Sequence, residues 1–243
     1  MSLMEQLSIT SFLKNGYEYH LYGYDKIANV PAGAILRDAG EILPASEIFC
    51  YQQGPGKGSV AAFSNLFRYK LLLERGGWWT DTDMVCLRAL DFAEPIVFAS
   101  ERCDAGVQTT NSILKLPQGH EVARLCYEAA RQEDRAKLTW GKTGPALIDR
   151  IVRETGLQHF VKAPDVFCPV NHWEWQSFLA VKSKPLAQLI TNESRAVHLW
   201  HEMWRRAGIK METAGKEVTP FAELLRKHGV HNKMRAIFSF NWR

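Results

Sequence analysis

The sequence predicts an α/β fold, and three observations lead to this expectation. Segments with helical periodicity alternate along the chain with short apolar segments of strand character. Clusters of glycine and proline separate them, as expected for turns between elements. Hydrophobic residues make up 46% and charged residues 23% of the 243 positions, which is typical of a soluble globular protein. Because no linker interrupts the chain, we expect one domain over residues 1–243.

The first half of the chain contains the clearest elements. Residues 17–22 alternate polar and apolar side chains and predict a strand, and residues 52–58 form a glycine- and proline-rich loop. Ser59 is a suitable N-cap for a helix that the glycines at 76–77 would end. The apolar residues at helical spacing in that helix are Ala62, Leu66, Tyr69 and Leu73. Residues 78–80 are aromatic and β-branched, so they predict a strand directly after the helix.

The second half continues the alternation of strands and helices. Residues 96–99 and 196–200 are short apolar segments that predict strands. Residues 121–131 and 143–154 have the periodicity of helices. No internal repeat and no low-complexity segment is found.

Charge and cysteine content exclude several classes of protein. The formal net charge of +4 is too small to predict nucleic-acid binding, although it suits an anionic ligand such as a diphosphate. The five cysteines are odd in number and form no CxxC pair, so we expect a reduced, cytoplasmic protein rather than a disulfide framework. No apolar segment approaches the roughly 20 residues that a membrane span needs.

The strongest candidate for chemistry is the acidic triplet Asp81-Thr82-Asp83. In an extended segment, residues i and i+2 point to the same face about 6–7 Å apart, so the two carboxylates would share one site. Oxygen ligands of this kind suit Mg²⁺ or Mn²⁺. Trp78 and Trp79 would hold the acidic tip against the core. Alone, however, such a triplet is equally typical of an acidic turn at the end of a strand.

The preceding helix offers polar side chains that could complete the site. Ser64 and Asn65 lie four and three residues before Arg68, so all three belong to one helical surface. The arginine could reach the acidic pair or a ligand hydroxyl. A solvated polar face of an amphipathic helix explains the same spacing, and geometry alone leaves both interpretations open.

The two segments together resemble a known family. Residues 62–69 (AFSNLFRY) and 74–83 (ERGGWWTDTD) are similar to the glycosyltransferase sugar-binding region that contains the DXD motif. That family includes yeast mannosyltransferases, animal α-1,4-glycosyltransferases and bacterial capsular-sugar enzymes. Looser matches occur at Asn111, 119–120, 143–145, 197–200 and Trp204. The resemblance implies a GT-A-type fold, with a mixed central sheet flanked by helices.

The resemblance also assigns roles to individual residues. It implies that Asp83 binds the metal, that Asp81 contacts the ribose or sugar of the donor, and that Arg68 hydrogen-bonds the donor sugar. His198 would be a second metal ligand, with His201 as the nearby alternative. The remaining expected substrate-binding residues are Ser64, Asn65, Gly77, Trp79 and Asn111.

The sequence departs from the family pattern in two places. Asn65 stands where relatives usually carry aspartate, so the charge that would pair with Arg68 is missing. Relatives usually begin with an apolar strand that ends in Trp-x-Gly, and no such strand precedes Tyr17. We therefore expect a sheet that lacks its first strand.

The expected function is a retaining, Mn²⁺- or Mg²⁺-dependent glycosyltransferase in polysaccharide biosynthesis. It would move a sugar from a nucleotide-sugar donor, a UDP-sugar, to a saccharide or lipid-linked acceptor. The alternative is a catalytically impaired nucleotide-sugar or polysaccharide binding protein. The basic, aromatic tail from His231 either folds back on the domain or makes peripheral contact with an anionic membrane.

Overall fold

The computed structural model describes residues 1–180, 185–210, 214 and 218–231. Its α-helices are α1 (Leu3–Lys14), α2 (Ala61–Arg75), α3 (Glu121–Gln132), α4 (Pro145–Glu154), α5 (Pro164–Phe167), α6 (Leu186–Leu189), α7 (His201–Arg206) and α8 (Pro220–His228). Its strands are β1 (His20–Gly23), β2 (Ile35–Asp38), β3 (Gly77–Thr80), β4 (Met84–Cys86), β5 (Val97–Cys103), β6 (Gly106–Leu116) and β7 (Ala196–His198). The predicted α/β class is confirmed.

The described strands form three small sheets rather than one continuous central sheet. β1 and β2 pair in parallel, β6 lies between β3 and β5 in an antiparallel sheet, and β4 pairs antiparallel with β7. Parallel and antiparallel pairing are thus both present, as expected for a mixed architecture. β3 and β4 belong to different sheets, and the acidic triplet joins them.

Helix α2 is the long helix predicted before the acidic triplet. It begins after Val60 rather than at Ser59, because the Ser59 hydroxyl accepts only from the nearby Ala61 N–H, at 3.3 Å. Gly76 ends it with φ 65° and ψ −163°, a backbone conformation open essentially only to glycine. A Cβ there would collide with the backbone nitrogen of Gln118. This close approach fixes the point where the chain turns into β3.

Helix α1 was not predicted and occupies the residues ahead of β1. The Ser2 hydroxyl accepts from the Glu5 N–H, and the Glu5 carboxylate accepts from the Ser2 N–H, which makes a capping box. Leu7 and Ile9 are fully buried, and the helix packs mainly against β4. Its packing helps hold the strand that follows the acidic triplet.

The core has two main parts on either side of the antiparallel sheet. One is built from α1, β4, β7 and α8, around side chains such as Trp204 and Phe221. The other is built from α2, α3 and α4 packed on Phe98 and Leu114 of the sheet. The acidic triplet lies where these two parts meet.

None of the described helices has the length and apolar character that crossing a membrane requires. Of the basic tail, residues 232–243 lie outside the described residues.

Candidate active site

A cavity of about 1340 Å³ lies beside the acidic triplet. Its wall combines the residues around β1, one side of α2, the β3–β4 connection and the first residues of α7. Aromatic side chains contribute much of the lining, namely Tyr22, Tyr24, Phe63, Phe67 and Trp79. The cavity is therefore large enough for a nucleotide-sized ligand and offers apolar faces beside charged groups.

The acidic triplet forms a turn, not the extended segment that the spacing argument assumed. The Asp81 N–H still continues the pairing of β3, donating to the Ser112 carbonyl at 2.7 Å. The Met84 N–H then closes the turn on the Asp81 carbonyl at 3.1 Å, and β4 begins. Because the chain reverses within the triplet, the two carboxylates have different neighbours. The expected extended geometry was therefore wrong, although both residues line the same cavity.

Asp81 is held by residues of α2 and β3. Its Oδ1 accepts from the Arg68 guanidinium, and from the Trp79 indole N–H at 2.7 Å. The guanidinium also lies over the Trp79 ring, 4.7 Å from its centre. Burial raises the pKa of the Asp81 carboxyl, and Arg68 opposes this rise. Oδ2 has no hydrogen bond to any described residue, so it remains available to a ligand in the cavity.

Asp83 is held from the other side, by β7 and the start of α7. Its Oδ2 accepts from His198 Nε2 at 3.1 Å and from the His201 N–H at 2.9 Å. Burial opposes ionisation of Asp83, but the positive charge and hydrogen bond of His198, together with the His201 N–H, lower the pKa of Asp83 to about 2. Its Oδ1 makes no hydrogen bond within the described part of the chain.

The backbone of Trp200 places the His201 N–H on Asp83. Trp200 adopts the left-handed conformation, with φ 60° and ψ 49°, which is rare for a bulky residue. Its side chain is fixed by a hydrogen bond from the indole N–H to the Val170 carbonyl at 2.9 Å, and its ring lies 3.8 Å from the His198 ring. Strained backbone of this kind persists only where packing enforces it, and it commonly occurs at functional sites.

A buried polar network lies beside the arginine. Asn65 Oδ1 accepts from Arg68 at 2.5 Å and from the Asn111 amide at 3.0 Å. The same Asn111 amide donates to the Tyr69 hydroxyl at 3.0 Å, and Asn65 Nδ2 donates to the Thr143 hydroxyl at 3.3 Å. Asn65 therefore keeps the contact with Arg68 that an aspartate would make, without the second charge.

Most of the predicted substrate-binding residues line the cavity, but one does not. Ser64, Asn65, Trp79 and Asn111 all line the cavity. Gly77 does not: it begins β3, is exposed and pairs with Leu116. The neighbouring Gly76 lines the cavity instead.

Three residues near the site were missed from the sequence. Glu101 on β5, Ser112 on β6 and Cys168 after α5 all lie close to His198 or to each other. No motif marks them, since they come from separate elements and meet only through the tertiary fold. The one signal was the type of Glu101 and Cys168, because cysteine and carboxylate side chains are common metal ligands.

Two family models match the chain, and together they span most of the predicted site residues. Residues 43–102 match the family described as "Glycosyltransferase sugar-binding region containing DXD motif", a stretch that includes Arg68, Asp81 and Asp83. Residues 115–229 match the family described as "Alpha 1,4-glycosyltransferase conserved region", which includes His198. The two matched stretches do not overlap, and the descriptions of both name a glycosyltransferase region. The α/β fold predicted from the sequence agrees with these matches.

Two further comparisons concern individual proteins. A solved structure titled "PaToxG Glycosyltransferase" is similar over 93% of this chain and 80% of its own, at 14% sequence identity and a TM-score of 0.47. No curated protein matches the sequence significantly.

The DXD motif of the matched region implies a divalent cation, and the side chains around Asp83 fit one. Asp83 has a lowered pKa of about 2, lines the cavity and has a carboxylate oxygen without a hydrogen bond to any described residue. A single carboxylate, completed by water and ligand phosphates, is how Mg²⁺ is commonly held in proteins. His198 makes its Nε2 contact with the carboxylate itself, so it orients Asp83.

Proposed function

We propose that this glycosyltransferase moves a sugar from a UDP-sugar to a saccharide hydroxyl, with the help of Mn²⁺ or Mg²⁺ and with retention of configuration. One observation carries the proposal. Asp81 and Asp83 line the same cavity, and each uses one carboxylate oxygen to bind the protein while the other oxygen has no hydrogen bond to a described residue. The site thus offers two preoriented, differently supported acceptors for one ligand.

Asp83 is the residue that would hold the cation, through Oδ1. A bound divalent ion neutralises charge on the leaving diphosphate, which is the chemistry it supplies here. His198 and the His201 N–H keep the carboxylate in one orientation and ionised. Preorganisation of this kind lowers the reorganisation needed when charge develops.

Asp81 and Arg68 would bind the transferred sugar or the ribose. Oδ2 of Asp81 can accept from a ligand hydroxyl, since Oδ1 is already occupied by Arg68 and Trp79. The Arg68 side chain is 3% exposed, and its guanidinium is fixed by Asn65, Asp81 and the Trp79 ring, so it cannot move away without breaking these contacts. These groups would set which hydroxyls of the donor are recognised.

The proposed stereochemistry rests on the roles given to the two aspartates. Asp83 would hold the cation and Asp81 is paired with Arg68, so we expect neither carboxylate to act as a free general base toward an incoming hydroxyl. We expect the donor phosphate to accept the proton of the acceptor on the same face of the sugar. NMR of the product tests this, and an inverted linkage would rule out retention.

A donor screen by isothermal titration tests the function. UDP- and GDP-sugars are titrated with Mn²⁺ and with chelator into the protein, into Asp83→Ala, and into Asp104→Ala as a control at an exposed aspartate. We expect metal-dependent binding that Asp83→Ala loses and Asp104→Ala keeps, followed by slow hydrolysis of the donor. Binding without any turnover would favour a binding protein, and binding that is indifferent to metal and to Asp83 would refute the site.

The acceptor and location are part of the same proposal. We expect a cytoplasmic protein that acts on a growing polysaccharide or a lipid-linked saccharide, with peripheral membrane contact through the basic tail from His231. Co-sedimentation with anionic liposomes tests the contact: equal pelleting with and without the tail would exclude it.

A further inference from the structure

A second group of possible metal ligands lies behind Asp83. One ring nitrogen of His198, the sulfur of Cys168 and a carboxylate oxygen of Glu101 lie within 4.8 Å of one another. All three residues are buried, with exposed fractions of 9%, 1% and 9%. They come from β7, from the residue after α5 and from β5, so three separate elements hold the cluster in place.

The hydrogen bonds around the cluster leave its inner atoms unsatisfied. Because His198 Nε2 contacts Asp83, the ring turns Nδ1 away from the acidic turn, and among the described residues this buried atom has no hydrogen-bond partner besides the neighbouring Cys168 thiol. The same holds for the buried hydroxyl of Ser112, which also neighbours the Cys168 thiol. Glu101 accepts from Gln108 at 2.8 Å through Oε1, which leaves Oε2. Buried polar atoms without partners are uncommon, and a bound ion is one of their standard explanations.

We propose that Cys168, His198 Nδ1 and Glu101 bind a zinc-class divalent cation, at a site separate from the cation position at Asp83. A thiolate and an imidazole nitrogen favour zinc over the hard cations that bind only oxygen. In a tetrahedral zinc site with bonds of about 2.0–2.3 Å, ligand atoms lie roughly 3.3–3.8 Å apart. Because the ligand atoms lie within 4.8 Å of one another, the cluster needs to contract by no more than about 1.5 Å, with water as the fourth ligand.

Binding is balanced by the loss of two protons. The Cys168 thiol and Nδ1 of a protonated His198 ring each release one to solvent, and the zinc takes the vacated lone pairs. Nε2 keeps its proton and continues to donate to Asp83 Oδ2. The result is a carboxylate–histidine–metal arrangement, in which the second ring nitrogen of a metal ligand is held by a carboxylate.

This site would act on the proposed catalytic centre only as a positioning device. A metal on Nδ1 locks the His198 ring and its tautomer, and the ring in turn fixes Oδ2 of Asp83. His198 would then be a metal ligand, as the sequence predicted, but for a different ion and through the nitrogen remote from Asp83. The proposal stands or fails independently of the glycosyl-transfer reaction, because its readouts are metal content and ligand identity.

Metal content and cobalt spectroscopy test the proposal. The protein is stripped with chelator, reloaded with Zn²⁺ or Co²⁺, dialysed and measured for bound metal and for a thiolate-to-cobalt charge-transfer band. The variants are Cys168→Ser, Asp83→Ala and, as a matched buried thiol outside the cluster, Cys126→Ser. We expect about one equivalent of zinc and a cobalt band that only Cys168→Ser abolishes.

Manganese binding should show the opposite pattern, lost in Asp83→Ala and kept in Cys168→Ser. No retained zinc, or a cobalt band that persists in Cys168→Ser, would overturn the proposal. If Cys168→Ser fails to fold by circular dichroism, zinc-edge X-ray absorption of the wild-type protein decides. One sulfur ligand is expected there, and a sphere of nitrogen and oxygen alone would refute the site.

Discussion

The contact of Arg68 with Asp81 is the interaction on which the candidate site depends most directly. The Arg68 side chain is 3% exposed and the Asp81 side chain 28% exposed. Arg68 also donates to Asn65 at 2.5 Å and lies over the Trp79 ring. Arg68→Met keeps much of the side-chain volume but removes the charge and its donors. The perturbation therefore separates electrostatics from packing.

The size of the effect follows from what the mutation leaves behind. Removing one partner of a buried ion pair costs about 3–5 kcal/mol, because the remaining charge is buried alone. Solvent reaches part of Asp81, so we expect a smaller loss, about 2–3 kcal/mol of unfolding free energy. In a chain of this length each kcal/mol corresponds to about 2–4 °C in Tm. The variant should thus melt roughly 5–10 °C lower.

Urea unfolding followed by tryptophan fluorescence measures the loss. Arg75→Met is the matched control, since Arg75 ends the same helix and its ion pair with Glu41 is 3.7 Å long and more than half exposed on both sides. Such an exposed pair is worth about 0–1 kcal/mol. We expect the Arg68 variant to lose at least twice as much as the control.

A double-mutant cycle with Asp81→Asn refines the test. If the two charges interact as the structure shows, Arg68→Met should cost less in the Asp81→Asn background, by about 1–2 kcal/mol. The double variant should still fail to bind the donor, because the ligand contacts are gone in both residues. A coupling energy below about 0.5 kcal/mol would refute the reasoning.

Three further predictions concern other parts of the molecule. Gly76→Ala forces a Cβ into neighbouring backbone at φ 65° and should lower the unfolding free energy by at least about 2 kcal/mol. Gly77→Ala should lower it by about 1–2 kcal/mol, because φ is 87° there but the space is open. Equal losses in urea unfolding would contradict this. Burial lowers the pKa of His228 to about 4, so as the pH falls the unfolded chain binds the proton before the folded chain does. The unfolding free energy should therefore fall by about 2 kcal/mol between pH 7 and 5. Unfolding of His228→Phe should lack that part of the pH dependence. Asn65→Asp keeps the acceptor for Arg68, so its unfolding free energy should change by less than about 1 kcal/mol, and a larger loss would mean that the network needs the amide.

Elements with a strong local signal could be predicted from the sequence. Helix α2 and strand β3 have clear periodicity, aromatic character and a glycine stop, and both occur as expected. Strand β6 was missed because its centre, Thr109–Ser112, is polar and yet buried, so no alternation of polar and apolar residues shows along it. Its burial depends on partners from α2 and α4, which no local pattern reveals.

The candidate site was predictable in its members but not in its geometry. Types and spacing made Asp81, Asp83 and Arg68 candidates, the resemblance to the DXD-containing family selected them, and the structure brings all three to one cavity. The direction of each carboxylate was not predictable, since it depends on a turn that the Met84 N–H closes by donating to the Asp81 carbonyl. The cluster of Glu101, Cys168 and His198 could not be predicted from local sequence patterns, because its members come from separate elements.

The turn gives two identical side chains different chemistry. Asp81 faces a permanent cation and an indole, yet burial still raises its pKa. Asp83 faces His198, whose own pKa burial would lower but the carboxylate raises well above its usual value. Asp83 is therefore the more firmly ionised of the two and the better cation ligand, whereas Asp81 is better suited to accept hydrogen bonds from a sugar. Since the distinction comes from the partners and not from the residues, exchanging the partners, rather than the aspartates, would exchange the roles.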